Sequence, residues 1–383
     1  MHLLQSRYEF LSSFKIGHSM SSLFTPLTLG KHTLKNRIIM APLTRGRAGV
    51  NGIPTDIMAK YYAQRASSGL LIGEATAITK NGRGWLNSPG LFNQAQQDGW
   101  QKVARAVHEK NGVIFVQIWH MGAAVHPDFI EGQQAVSASE VTLNGQLPTP
   151  KGRDRAFEQA RSLTKKEIKQ QIENFAAAAQ RAIDAGLDGV EIHGANGFLI
   201  DQFTRDSSNQ RHDEYGGSID NRLRFMMEVV HAVCDRIGSD KVGIRLSPTN
   251  NTWGISDSQY QETFVRTVQL LNSYKLAYLH ILESKPATDS HMKYLTPMMR
   301  QEYHGTLIVN GGYDKDSAIH AIDENLGDAV SFGMPFIANP DLVARYQQDA
   351  QLSQPDSSLF YTEGAKGYSD YPALEEVLEP ASD

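Results

Sequence analysis

A run near the middle of the chain, Glu191-Ile-His193-Gly-Ala-Asn196-Gly-Phe198, places two neutral hydrogen-bond donors where a strand gives way to a loop. It begins as a buried strand, Gly189-Val-Glu-Ile-His193, and breaks at Gly194 and Gly197. His193 and Asn196 therefore fall at or just past the strand's carboxyl end, the side on which parallel barrels do their chemistry. Two convergent donors suit a carbonyl oxygen that must take on negative charge. The same His and Asn would also serve to satisfy backbone groups of the loop, so the tripeptide alone leaves both readings open.

Other polar residues recur at the ends of apolar runs. Thr44 follows Ala41-Pro42-Leu43, Gln117 closes the third run before Trp119-His120, and Arg245 precedes Leu246-Ser247-Pro248. Singly, each has a structural reading: a loop cap, a satisfied strand-end amide, half of a core ion pair. Together on one face they describe a pocket. Gly311-Gly312 and Gly333, at the ends of the seventh and eighth runs, let backbone N–H groups approach an anion where barrels commonly bind phosphate. A phosphate there, with Thr44, Gln117 and Arg245 around a planar polar ring, implies a phosphorylated heterocyclic cofactor. Trp85, Trp119 and Tyr361 could wall an apolar substrate chamber above that ring, or be ordinary core.

The elements that must hold these residues alternate along the chain. Apolar runs at 37–41, 70–75, 113–118, 189–193, 242–246, 278–281, 307–310 and 329–332 read as strands. Helical patterns lie between or after them, at 54–68, 97–110, 164–185, 221–237, 258–274, 297–303, 315–325 and 340–350. In the helix at 164–185, Thr164 and Glu167 form a capping box, and Ile168, Ile172, Phe175, Ala179 and Ile183 make one stripe. About eight strand–helix repeats with short connections describe a single α/β domain, a (β/α)₈ TIM barrel, and no Gly-x-Gly-x-x-Gly turn supports a Rossmann fold. Leu27 to Lys35 reads as a hairpin turning at Gly30, a plug for the barrel's amino-terminal end. The Pro-, Gly- and Ser-rich excursion 119–163 after strand three is long enough to be a functional cap. The polar segment from 351 carries Phe360-Tyr361 and Tyr368 to Tyr371, which predicts docking onto the barrel.

The chain has 383 residues, 40% hydrophobic and 21% charged, and a net charge of −5. Its basic residues are scattered, so no nucleic-acid footprint shows, and no apolar run reaches the length of a membrane span. One cysteine, Cys234, sits in a helical pattern and reads as a small packing residue, which suits a reducing cytoplasm. Residues 1–22 differ in character from the rest of the chain and read as a disordered leader or an upstream start. Arg7, Lys15 and the leader's serines are also compatible with an organellar address. The domain is then 23–372, with a polar tail at 373–383.

The ordered motifs Asn36-Arg37-Ile-Ile-Met-Ala-Pro42-Leu-Thr44-Arg45, Val116-Gln117-Ile-Trp119-His120 and His193-Gly-Ala-Asn196-Gly stand in the first half of the chain. Asp213-Glu-Tyr215-Gly-Gly-Ser218, Arg222, Arg245-Leu-Ser-Pro248, Asn339-Pro340-Asp341-Leu342 and Gly367-Tyr-Ser-Asp-Tyr371-Pro372 stand in the second. With these, residues 23–372 resemble the Old Yellow Enzyme family of flavin-dependent ene-reductases, especially its bacterial N-ethylmaleimide-reductase-like branch. The resemblance implies FMN at the barrel mouth, NADPH or NADH as reductant, and a small electrophilic acceptor: an α,β-unsaturated carbonyl, quinone, maleimide or nitro compound. It implies that Thr44, Gln117 and Arg245 contact the ring, that Pro42 and Ala75 line it, and that Gly311, Gly312 and Gly333 meet the phosphate. His193 and Asn196 would hold the acceptor. The resemblance also implies a monomer or homodimer, with no metal. Asp213 to Ser218 reads as a structural turn leading into a helix.

Two positions depart from that pattern. Phe198 stands where most relatives have a proton-donating tyrosine, and phenylalanine has no proton to give. Met334 stands where relatives usually present an arginine to the FMN phosphate. These departures leave two alternatives: a catalytically impaired flavin-binding barrel, or a phosphate-binding barrel enzyme without flavin. The latter needs a carboxylate or lysine base at a strand end. Glu74 and Glu191 are the only rough candidates, and the alternation with Ile192 turns Glu191 toward the helices.

Overall fold

The computed structural model describes residues 21–283 and 294–374. Apart from Ser21 and Ser22, the leader lies outside the described residues, as does the tail beyond Leu374. The eight apolar runs form eight parallel strands: β1 Ile38–Met40, β2 Leu70–Ala77, β3 Ile114–Trp119, β4 Gly189–His193, β5 Val242–Leu246, β6 Tyr278–Leu282, β7 Leu307–Asn310 and β8 Ala329–Phe332. Each pairs with the next and β8 returns to β1, closing the barrel. Helices pack outside: α1 Asp56–Gln64, α2 Gln94–His108, α3 Lys165–Asp184, α4 Ile219–Ile237, α5 Tyr260–Leu271, α6 Thr296–Glu302, α7 Lys315–Asp323 and α8 Leu342–Gln347. The expected capping box opens α3, with the Glu167 N–H donating to Thr164 Oγ1 at 3.2 Å and the Thr164 N–H donating to Glu167 Oε2 at 2.8 Å.

The barrel floor is sealed from below. The hairpin Leu27–Leu29 and His32–Leu34 turns at Gly30 and inserts Leu29 and Leu34 among Ile39, Leu70, Ile72, Phe115, Tyr278 and Ile308. Gly189 and Gly243 make room for two of these rings. A Cβ on Gly243 would lie 2.3 Å from the Tyr278 ring, and one on Gly189 would lie 2.5 Å from the Phe115 ring. Small residues opposite large ones fill the taper of a closed barrel, so its interior is a packed core.

Above the mouth a second apolar cluster forms from the excursion after β3. Two small sheets organise it: Val136–Ser137 with Arg161–Ser162, and the hairpin Gln146–Pro148 with Asp154–Ala156. Met121, Val125, Ile130, Leu143, Leu147 and Phe157 of the excursion pack with Ala75, Trp119, Phe198 and Ile255 from the barrel's carboxyl ends. The excursion therefore caps the face that carries His193, as expected.

The segment from 351 docks, and two buried arginines hold it. Arg45 Nη2 donates to the Gly367 carbonyl at 2.7 Å, and Arg47 Nη1 to the Phe360 carbonyl at 2.6 Å. Tyr61 and Tyr368 stack with centroids 4.0 Å apart. These contacts carry Phe360 and Tyr361 to the mouth. Two short helices, Leu199–Thr204 and Met334–Ala338, leave no mark in the sequence periodicity because each is little more than one turn.

Candidate functional site

A cavity of about 350 Å³ opens at the carboxyl ends of the strands. Its lining includes Pro42, Thr44, Ala75, Trp85, Gln117, Trp119, His193, Asn196, Phe198, Arg245, Met334 and Tyr361. Residues drawn from widely separated stretches of sequence thus converge on one pocket. Gly311, Gly312 and Gly333 do not line it. They stand just past β7 and β8, with Gly333 beside Leu43 and next to the exposed Met334. Leu43, Arg45, Thr252, Trp253, Ile337 and Phe360 complete the lining; Leu43 and Arg45 flank Thr44 in the stretch after β1 that points to a pocket, while Thr252, Trp253, Ile337 and Phe360 were not expected there from the sequence. Only Trp253 offered a signal, as a large aromatic shortly after the β5 end.

The β2 strand shows how local irregularity aims side chains. Its register against β3 shifts between Gly73 and Thr76, and a bulge of this kind re-aims residues beside a site. Ala75 lines the cavity, while Glu74 is fully buried elsewhere. The Glu74 carboxylate accepts from the Arg45 and Gly46 N–H groups at 3.1 and 3.3 Å and from Tyr62 Oη at 3.3 Å. It braces the loop that carries Thr44. Burial raises its pKa, against the pull of those hydrogen bonds.

His193 is held in one tautomer. The Ala195 N–H donates to its Nδ1 at 3.3 Å, so the ring proton sits on Nε2. Burial first, then the charge of Arg245, hold its pKa well below the ordinary value. The imidazole is therefore a neutral donor near pH 7. Asn196 adopts a left-handed backbone (φ 59°), and its N–H donates to Ser247 Oγ at 2.8 Å. Phe198 is nearly buried and meets three aromatic rings edge-on, with centroids 4.6 Å from Trp119, 4.8 Å from His193 and 5.3 Å from Trp253.

Beneath the cavity the strand alternation turns a polar layer inward. Glu191 shares the inward face with His193, so the expectation that it faces the helices is overturned; Val190 and Ile192 take that side. Glu191 Oε1 accepts from Gln117 Nε2 at 2.7 Å, and Oε2 pairs with His280 Nδ1 at 2.7 Å. His280 Nε2 pairs with Ser331 Oγ at 2.8 Å. Burial lowers the His280 pKa although Glu191 opposes it, which makes His280 a neutral donor to the carboxylate. Because a carboxylate only accepts, Gln117 must give it the NH₂ and keep its amide oxygen for the cavity.

Arg245 is a buried cation with unused capacity. Its Nη2 donates to Asn310 Oδ1 at 2.8 Å, while its Nε has no hydrogen-bond partner among the described residues. Burial lowers its pKa, with Glu191 acting the other way. A guanidinium with a spare donor and an amide with a spare oxygen, on the lining of one cavity together with Thr44, fit a flat heterocycle that carries donors, acceptors and negative charge. No carboxylate or lysine lines the cavity among the described residues, which leaves a barrel isomerase or aldolase without a base there.

The remaining sequence candidates have structural roles. Asp213 pairs with Arg211, and Ser218 caps α4 by accepting from the Asn221 N–H. Burial pushes the Cys234 thiol up to about 12, so it stays protonated. Among the described residues no helix is long and apolar enough to cross a membrane, and no three His, Cys, Asp or Glu are grouped to hold a metal.

The fold and the lining define a parallel barrel whose mouth carries a pocket with polar groups suited to a flat, charged ligand. Residues 22–353 match the model of the NADH:flavin oxidoreductase / NADH oxidase family. The chain is 41% identical to a probable flavin mononucleotide-dependent alkene reductase of Leishmania infantum, covering 93% of this chain and 98% of that one. It is also 41% identical to 12-oxophytodienoate reductase 1 of Oryza sativa subsp. japonica, covering 93% and 94%. Among solved structures, the old yellow enzyme homologue from Zymomonas mobilis superposes with a TM-score of 0.90 at 42% identity, covering 92% of this chain and 100% of that one. Morphinone reductase in complex with tetrahydroNAD gives 0.88 at 42% identity, over 94% and 99%. The chain belongs to the Old Yellow Enzyme family and is an FMN-dependent oxidoreductase driven by a nicotinamide nucleotide.

Proposed function

We propose that this chain reduces small electrophilic acceptors held by His193 and Asn196, and that it favours quinone- and nitro-type acceptors over simple enones. The observation that carries the reading is the neutral, singly oriented His193, which lines one cavity together with Asn196 and the buried Arg245. Two neutral donors aimed at one oxygen stabilise charge as it develops and need no reorganisation. FMN, when bound, accepts hydride from the nicotinamide and supplies it to the acceptor. Thr44, Gln117 and Arg245 would hold its ring, Pro42 and Ala75 would flank it, and the loops at Gly311, Gly312 and Gly333 would take the phosphate.

The preference rests on Phe198. An alkene takes its second hydrogen on carbon, where proton transfer is slow without a positioned acid. A quinone takes it on oxygen, where water suffices. The side chain at 198 has no acidic proton, and the rings packed against it, Trp119 and Trp253, offer no acid in its place.

The test is spectroscopic. Purified protein is loaded with FMN, bleached anaerobically with NADH or NADPH, and then mixed with a quinone, a nitroarene and cyclohex-2-enone. Recovery of the oxidised spectrum by quinone or nitroarene well before enone supports the reading. Equal rates for all three would overturn the preference, and failure to bleach would overturn the activity.

A further inference from the structure

The loop after β5 reaches back over the cavity and touches Asn196. Asn250 Nδ2 lies 2.9 Å from Asn196 Oδ1, and Thr252 Oγ1 lies 2.7 Å from Asn250 Oδ1. The three groups form a chain that ends at the acceptor side of the pocket, and Thr252 itself lines the cavity. The loop is not free to drift. The Asn144 N–H of the capping excursion donates to the Trp253 carbonyl at 2.9 Å, and Trp253 is held in a left-handed conformation (φ 56°, ψ 27°) that a bulky residue adopts only under constraint.

We infer that Asn250, backed by Thr252, is a positioning residue that turns the Asn196 amide so that its NH₂ faces the acceptor. The inference rests on the proposed role of Asn196. Without a ligand the chain is satisfied in either sense: Asn250 can donate to Asn196 and accept from Thr252, or accept from Asn196 and donate to Thr252. A bound carbonyl breaks the tie. Its oxygen only accepts, so Asn196 must donate to it, Asn250 must donate to Asn196, and Thr252 must donate to Asn250. The hydroxyl rotor makes this possible at little cost, and the relay hands a donor to the developing oxyanion without leaving any member unpaired.

The polarity of the relay yields an ordering of variants that packing alone would reverse. Asn250→Asp keeps shape and size, but its carboxylate only accepts. It would draw the Asn196 NH₂ away from the cavity and present the amide oxygen to the acceptor. Asn250→Leu removes the partner and leaves Asn196 free to turn either way. The measurement is the Kd of cyclohex-2-enone for the oxidised FMN-loaded enzyme, read by quenching of the cavity tryptophans, alongside kcat/KM, from about pH 8 down through the carboxyl range near pH 4. Asn250→Asp should weaken binding roughly tenfold or more at the upper end, and more than Asn250→Leu does. Its binding should recover as the introduced carboxyl takes up a proton and becomes a donor again, while the parent stays flat. If Asn250→Asp binds as well as the parent, or less poorly than Asn250→Leu without pH dependence, the relay is wrong. Asn196→Ala separates the two ideas. A large loss there with a silent Asn250→Asp overturns the positioning role alone, and no loss there overturns the role of Asn196 as well.

Discussion

Replacing Phe198 by tyrosine adds one oxygen and tests the acceptor preference directly. The ring already has its seat, only 8% exposed and fixed edge-on by Trp119, His193 and Trp253. The added hydroxyl finds no competing acceptor on those rings. His193 Nδ1 is engaged by the Ala195 N–H, its Nε2 is a donor, and the indole nitrogens only donate. The O–H is therefore available to the cavity. A positioned acid contributes about 10²–10⁴-fold, or roughly 3–5 kcal/mol of barrier. Enone reduction by Phe198→Tyr should rise by at least the lower figure, while quinone reduction stays within a few-fold. The assay is the oxidative half-reaction: enzyme reduced anaerobically, mixed rapidly with cyclohex-2-enone or a quinone, in H₂O and D₂O. The variant's enone rate should also lose part of the parent's solvent isotope effect. An unchanged enone rate, or an equal gain on both acceptors, would refute the idea that protonation at carbon limits the parent.

Other parts of the molecule supply three more tests. Met334 is 61% exposed and lines the cavity beside Gly333, so Met334→Arg should tighten FMN by tenfold or more, about 1.5–3 kcal/mol, in equilibrium dialysis; unchanged affinity would mean that other groups hold the phosphate alone. Burial pulls His120 down to about 4, so between about pH 6.5 and 4 the unfolded chain binds a proton that the folded one refuses. Stability should fall across that window by ~3 kcal/mol from this group, and His120→Gln should flatten that part of a pH series of denaturant melts. Gly243→Ala places a methyl against the Tyr278 ring and should cost about 1–3 kcal/mol in denaturant unfolding, with Tyr278→Leu in the same chain recovering most of it.

The barrel was legible because each strand is a short apolar run and each long helix carries a stripe, a cap or both. The start of α3 and the plugging hairpin could be read from Thr164, Glu167 and Gly30. Assigning Gln117, His193 and Arg245 to one pocket needed only that strand ends share a face. Glu191 was harder. Its alternation with Ile192 shows that the two residues face opposite sides, but in a strand buried on both sides it does not say which side is the barrel axis; the two-residue spacing to His193 was the signal that places both inward. The contacts that pass between distant loops left no trace in spacing. Trp253 and Thr252 reach the cavity through a strained loop, and Phe360 through a carbonyl gripped by Arg45 and Arg47, although the neighbouring Tyr361 was expected at the cavity wall. Such long-range contacts depend on backbone geometry that sequence periodicity does not encode.

The proposed chemistry requires a flavin ring lying against Gln117 and Arg245, within reach of an acceptor on His193 and Asn196. A crystal structure of the FMN-loaded protein with a non-reducible phenol as carbonyl mimic tests it most directly. The prediction is ring density over the Gln117–Arg245 floor, with the phenol oxygen within hydrogen-bond distance of His193 Nε2 and Asn196 Nδ2. A ring bound elsewhere, or a phenol oxygen turned away from both donors, would contradict it.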